Sequence, residues 1–241
     1  MRLDVALVDR GLARSRNQAA ALIAAGDVLV DGVVVRKPSV RVLASQELTV
    51  ATRPWVSRAA HKLIGALDAS GLQVPARVLD AGASTGGFTQ VCLDRGARQV
   101  YAVDVGHAQL AQEIRDDPRV VVREGLNLRD LTLADVDGAP VDLVVGDVSF
   151  ISLKLLLEPL FAVCAGPALL LVKPQFEVGR GHLSEGIVTD PRLREAAVAG
   201  VEEEARRLGW TPSWRSESAL QGAHGNVEYF VLFQRGPSPS Q

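Results

Sequence analysis

Between residues 77 and 172 the chain returns five times to the same kind of short apolar run: 77–81, 100–105, 120–122, 141–145 and 168–172. These runs are dense in Val, Leu and Ala with little polar alternation, so both faces of each strand must be covered. Segments of helix length separate most of them, enough to carry the chain back across a sheet. The pattern predicts an α/β domain, a mostly parallel sheet with helices on its faces. A last helix is expected over 191–208, and two strand-like runs, 211–216 and 227–233, then follow in succession. The sheet should therefore end on two adjacent strands.

The first fifty residues obey a different rule. Residues 3–10 and 15–25 read as short helices: Ala19, Leu22 and Ile23 fall at helical spacing, and Ser15 stands where an N-cap would. Gly11 and Gly26 lie just past the two ends, where left-handed caps occur. The period then drops to two. Val28, Val30, Val33 and Val35 flank Asp31-Gly32, a tight-hairpin signal, and a third strand is expected at 47–50. The reading is a small α+β domain at 1–52, a linker at 53–56 (Arg53-Pro54-Trp55-Val56), a larger domain at 57–235, and a Pro/Ser-containing tail at 236–241 expected to be disordered. Pro54 keeps Arg53 out of helical conformation. Trp55 either docks on a neighbouring surface or passes contact from one domain to the other.

Charge and composition narrow the function classes. Residues 1–56 hold eight Lys+Arg against five Asp+Glu, and the remainder 18 against 23. A basic small domain on an acidic large one is compatible with a module that handles RNA. Two cysteines exclude a disulfide framework, and four scattered histidines give no metal cluster, so no metal is expected. The greasy stretch 155–172 is cut by Glu158, Pro159 and Gly166-Pro167, which suits a buried helix, a turn and a buried strand better than a membrane span. The N-terminus shows no apolar leader, and a cytoplasmic location is expected.

The chemistry-bearing residues cluster at strand ends. Asp80-Ala81-Gly82-Ala83-Ser84-Thr85-Gly86-Gly87-Phe88 follows the first strand and opens a helix, whose free N–H groups and dipole favour an anionic group. Its glycine spacing departs from the dinucleotide pattern, so a pyrophosphate ligand is disfavoured. Asp104 ends the second strand, where a carboxylate accepts from ribose hydroxyls. Asp130, after the third, is a candidate for an adenine amino group. Together they predict a site for a nucleoside-containing cofactor. Asp147 follows the fourth strand, Lys173 ends the fifth, Glu228 lies in the last, and Lys62 sits on the helix entering the domain. The bland reading of these four is a structural ion network.

Two resemblances sharpen this. Arg2-Leu3-Asp4, Gly11-Leu12-Ala13-Arg14-Ser15-Arg16, Val28-Leu29-Val30-Asp31-Gly32 and Lys37-Pro38-Ser39 resemble an S4-type RNA-binding domain. That implies that Arg14, Arg16 and Lys37 meet phosphates of structured RNA. Lys62, Asp147, Lys173 and Glu228 resemble the K-D-K-E tetrad of FtsJ-type ribose 2′-O-methyltransferases. Residues 2 to about 233 resemble the TlyA family, also called hemolysin A. The resemblance implies a Rossmann-like seven-stranded methyltransferase sheet, S-adenosylmethionine at the 80–88 turn, and a cytidine 2′-hydroxyl of ribosomal RNA as acceptor. A ribose hydroxyl holds its proton near neutral pH, so the protein must position it and take or share that proton. Lys173 is expected in that role within a coupled cluster, since the carboxylates favour its charged form while Lys62 and the sulfonium oppose it. Lys62 alternatively holds the target phosphate and hydroxyl. Phe150 is a candidate to stack on the target base, and Arg180, in the glycine-rich run 178–186, to face RNA from a substrate lid or to sit in a plain surface loop.

Longer relatives carry extensions at both ends, and on that basis large-subunit (23S) RNA alone is the expected substrate. Three rivals stand. A base-amine methyltransferase would want Asp/Asn-Pro-Pro-aromatic where this chain has Asp147-Val148-Ser149-Phe150. A non-catalytic ribosome-assembly factor would not need the cofactor turn. A pore-former, suggested by the older family name, finds no physical support in the sequence.

Overall fold

The computed structural model describes residues 1–13, 15–50, 55–179, 181, 183–222 and 224–236. They fall into two compact units, Met1–Arg58 and Ala59–Gln241. Of the features expected from sequence, Arg14, Arg180, the Arg53-Pro54 part of the linker and tail residues 237–241 lie outside the described residues.

In the first unit, α1 (Leu3–Asp9) and α2 (Arg16–Ala25) precede a three-stranded antiparallel sheet of order β2-β1-β3, with β1 Val28–Val30, β2 Val33–Val34 and β3 Leu48–Val50. Leu3, Leu7, Ala19, Ile23, Val28 and Leu48 share one core, so the helical and period-two stripes meet. Ser15 caps α2 by accepting the Gln18 N–H at 3.2 Å. At the hairpin, Asp31 and Gly32 both take positive φ (50° and 78°), the conformation a two-residue turn requires. The Asp31 carboxylate also accepts from the Glu47 N–H and from Gln46 Nε2, which ties the turn to β3.

The second unit opens with α3 (Ala59–Ser70) and builds a seven-stranded sheet of order β6-β5-β4-β7-β8-β10-β9. Its strands are β4 Arg77–Ala81, β5 Gln99–Asp104, β6 Val120–Glu124, β7 Leu143–Gly146, β8 Ala168–Val172, β9 Trp210–Glu217 and β10 Tyr229–Arg235. Strands β4 to β8 are parallel; β10 runs antiparallel to β8 and β9. All five residues of β8 are buried, which explains its unbroken apolar sequence. Gly166 precedes β8 because any side chain there would collide with the Asp142 carbonyl oxygen.

Helices are α4 Gly87–Asp94, α5 Gln112–Arg115, α6 Leu157–Ala162, α7 Pro174–Glu177 and α8 Pro191–Arg207. The crossovers beside β6 are thinner than expected. Four-residue α5 leads into β6, and two 3-10 turns, Leu128–Asp130 and Leu133–Val136, lead out of it. Every residue of β6 is only partly buried, as suits an edge strand with light cover. Among the described residues no helix is long and apolar enough to cross a membrane.

Candidate active site

The sheet order reverses between β4 and β7: β5 and β6 lie on one side, β8 and β10 on the other. Connections leave in opposite directions there and open a crevice beyond the carboxyl ends of the strands, where α/β folds bind ligands. The turn from β4 to α4 lines one wall. Gly82 (φ 83°) passes so close to the β7 end that a Cβ would stand 3.0 Å from the Asp147 carbonyl oxygen and 3.1 Å from Val148 Cγ1. Gly86 (φ 95°) caps α4, and a Cβ there would press on Leu110 and Ile114. Ser84 also takes a positive φ, 46°. These strained, close-packed positions leave the α4 N-terminus bare of side chains, as a backbone cradle for an anionic group must be.

Asp104 ends β5 and braces this turn. One carboxylate oxygen accepts the Ser84 N–H at 2.9 Å and the other the Gly106 N–H at 2.7 Å, and each oxygen keeps a lone pair. Beside it Val105 is 68% exposed, an apolar surface next to an acceptor pair. Glu124 holds the loop that follows. Its carboxylate accepts the N–H groups of Ala108, Gln109 and Leu110 and pairs with Arg115 at 2.7 Å. Arg115 and these N–H groups hold the Glu124 carboxyl down at about 2. Asp80 is fully buried beneath the turn. Its Oδ2 accepts from the Thr89 hydroxyl at 2.6 Å, and its Oδ1 has no hydrogen-bond partner. Burial pushes its pKa up to about 7, against the Thr89 hydrogen bonds and aided by the charges of Asp147 and Asp104. Asp130 lies exposed at the end of the 3-10 turn after β6, two strands from β4.

Across the crevice the four polar residues form two ion pairs. Lys62, on α3, meets Glu228 at 2.6 Å, with side chains 6% and 2% exposed. Glu228 directly precedes β10 rather than lying within it. Its second oxygen accepts from Gln175 Nε2 at 3.0 Å. Lys173, just past β8, meets Asp147, just past β7, at 2.6 Å. It also donates to the Ser149 hydroxyl at 2.6 Å. The Asp147 oxygen nearest Lys173 is not aligned for a hydrogen bond, so that attraction is electrostatic rather than directional. Because Tyr229 pairs with Val172, the next residues outward, Glu228 and Lys173, flank one another and bring the pairs together.

Phe150 stands at the rim, 91% exposed with φ 67°, and its ring lies 5.3 Å from that of Phe176. A bulky residue in the left-handed region beside a catalytic-type cluster is the kind of strain functional sites retain. Of the run 178–186, its end is pinned by buried Asn226, which donates to the Gly186 carbonyl and accepts the Val188 N–H. In the first unit, Arg16 stays 62% exposed while donating to Asp4, and Lys37 is exposed. Arg2 and Arg16 together hold the Asp4 carboxyl well below the usual range.

Ser149, Gln175, Thr89 and Glu124 were not singled out from sequence. Ser149 and Gln175 each lie two residues from a tetrad member, a proximity that could have flagged them. Glu124 gave no such signal.

The sequence pattern of FtsJ-like methyltransferases matches residues 55–235, and that of the S4 domain residues 1–48. The 16S/23S rRNA (cytidine-2′-O)-methyltransferase TlyA of Mycobacterium tuberculosis is 53% identical over 95% of this chain and 88% of its own. The chain belongs to the TlyA family of FtsJ-like methyltransferases. Another relative, the 23S rRNA (cytidine-2′-O)-methyltransferase TlyA of Campylobacter jejuni, is 34% identical over 78% of this chain and 74% of its own. A hemolysin-named structure from Streptococcus thermophilus superposes with a TM-score of 0.74, at 37% identity over 99% of this chain and 90% of that one. As a TlyA-family member the protein is an S-adenosylmethionine-dependent methyltransferase with an S4 RNA-binding domain. The Gly82–Gly86 cradle and the acceptor pair of Asp104 fit the carboxylate and ribose ends of that cofactor.

Proposed function

We propose that this TlyA-family enzyme methylates the 2′-hydroxyl of a cytidine in ribosomal RNA. 23S rRNA is the substrate that the names of both relatives share. The observation that carries the reading is Lys173 held at 2.6 Å by both Asp147 and Ser149, at the carboxyl end of β8 beside the glycine turn. In this assignment Gly82, Ala83, Ser84, Thr85, Gly86, Gly87 and Phe88 shape the methionyl end of the cofactor site, with buried Asp80 supporting them from below. Asp104 receives the ribose and Asp130 is assigned to the adenine end. The cofactor supplies an activated methyl group, so little else is asked of the protein than placement and proton handling.

Lys173 takes or shares the 2′-hydroxyl proton as the oxygen becomes nucleophilic, and Asp147 fixes the direction of its ammonium. Lys62, locked on Glu228, keeps positive charge beside the target phosphate. Phe150 offers an exposed ring face to the nucleobase, where stacking contributes about 1–3 kcal/mol. Arg16 and Lys37 of the S4 domain, with Arg14, supply sequence-independent attraction to phosphate.

The test is methyl transfer from labelled cofactor to rRNA by purified protein, followed by mapping of 2′-O-methyl groups in both subunits' RNA. A new 2′-O-methylcytidine in 23S rRNA is expected. Label found on a base instead of a ribose would assign the enzyme to base methylation.

A further inference from the structure

Glu177 closes α7, four residues after Lys173, and the tetrad does not account for it. Its side chain is only 1% exposed. One oxygen accepts the Ser152 hydroxyl and the other the Leu153 N–H, each at 2.6 Å, while Lys154 Nζ lies 4.0 Å away. Burial raises its pKa, opposed by these hydrogen bonds and by Lys154. The same two stretches of chain meet at three places. Lys173 grips Asp147 and Ser149 at one end, the Phe150 and Phe176 rings touch in the middle, and Glu177 grips Ser152 and Leu153 at the other. Phe150 sits inside this bracket, exposed and in a backbone conformation that costs energy unless its surroundings impose it.

We propose that Glu177 is a positioning residue for methyl transfer: by clamping Ser152 and Leu153 it fixes the 147–153 loop, and with it Phe150 and Ser149, at the right distance from Lys173. This rests on the functional reading above and deepens it. A buried carboxylate suits the task because it accepts from a backbone N–H and a hydroxyl at once, which no apolar side chain can do. The clamp acts on the acceptor nucleotide and leaves the cofactor turn untouched, so its loss should separate the two substrates.

The test uses the full-length protein as wild type, Glu177→Ala, Glu177→Gln and Ser152→Ala. Single-turnover transfer to an rRNA transcript is measured alongside equilibrium binding of labelled S-adenosylmethionine. For Glu177→Ala the transfer rate should fall by up to about 100-fold, the cost of a misplacement near 1 Å, while cofactor affinity stays within about twofold. Glu177→Gln should recover much of the rate, because its carbonyl still accepts the Leu153 N–H and its amide can turn to Ser152. Ser152→Ala should lower the rate less, in the same direction. A wild-type rate in Glu177→Ala, or a rate loss matched by equal loss of cofactor binding, would overturn the proposal. If Glu177→Ala does not fold, an unchanged rate in Ser152→Ala overturns it instead. Absence of ribose methylation by the wild type strikes the functional reading and leaves the clamp to be judged separately.

Discussion

The two ion pairs share a site yet occupy different environments. Lys62 and Glu228 are sealed, with side chains 6% and 2% exposed, and Gln175 occupies the remaining carboxylate oxygen. Lys173 and Asp147 are more open, at 9% and 14%, with a serine hydroxyl and two aromatic rings at the mouth. A charge sealed away from water cannot exchange a proton without its partner being left uncompensated, whereas one at the rim can pass a proton onward. The contrast teaches that one tetrad serves two purposes. The inner pair fixes the frame and the outer pair does the proton work.

The largest expected effect follows from the outer pair. Lys173→Ala should keep the fold and cofactor binding yet lose methyl transfer by about 100- to 10,000-fold, the usual span for a general acid–base group. Near-normal turnover in a single-turnover assay would remove Lys173 from the mechanism. Breaking the inner pair should strike stability as well. Lys62→Met leaves Glu228 buried without its cation, at a cost of about 3–5 kcal/mol in chemical denaturation. The double change Lys62→Met with Glu228→Leu should recover part of that stability and none of the activity. If Lys62→Met proves no more destabilising than Lys173→Ala, the division into frame and working pair is wrong.

Asp80 lies beneath both pairs and offers a pH-dependent check. Its folded pKa, about 7, is above the ordinary 3.8, so the folded state binds more protons than the unfolded one between those values. Stability from this group is therefore full below about pH 4 and declines as pH rises to about 7, by up to about 1.4 kcal/mol per unit. Asp80→Asn should flatten that decline, seen as a higher melting temperature than wild type at pH 8 and little difference at pH 4. Parallel profiles for the two proteins would show that burial of this charge carries no such penalty. The smallest effect is expected on the cofactor side. Glu124→Gln keeps one acceptor for the 108–110 loop and loses charge against Arg115, so cofactor affinity should weaken roughly fivefold with the maximal transfer rate unchanged. A change in rate without a change in affinity would move Glu124 to the working half of the site.

Much of the scaffold was legible before any coordinates. The runs at 77–81 and 168–172 became β4 and β8 residue for residue, and Asp31-Gly32 became the hairpin turn. The crossovers on either side of β6 were not legible as short, because an edge strand needs little cover and the chain there shows no helical stripe to measure. Lys173 and Asp147 could be read as candidates because strand ends at a switch point are where polar groups gather. Ser149 and Glu177 were passed over because each is an ordinary surface-type residue until packing places it against a neighbour.

Local order was written in the chain itself. Strand and helix periods, the Ser15 cap and the glycines at positive φ depend on residues a few positions apart, and short-range sterics enforce them wherever the segment sits. Tertiary structure alone decided which lysine holds which carboxylate. Lys62 and Glu228 are 166 positions apart and meet only because α3 and the start of β10 converge on one crevice. It also decided that Asp80 is forced toward its neutral form, since the free energy of a charge depends on how much water the fold leaves around it, and no stretch of sequence carries that quantity.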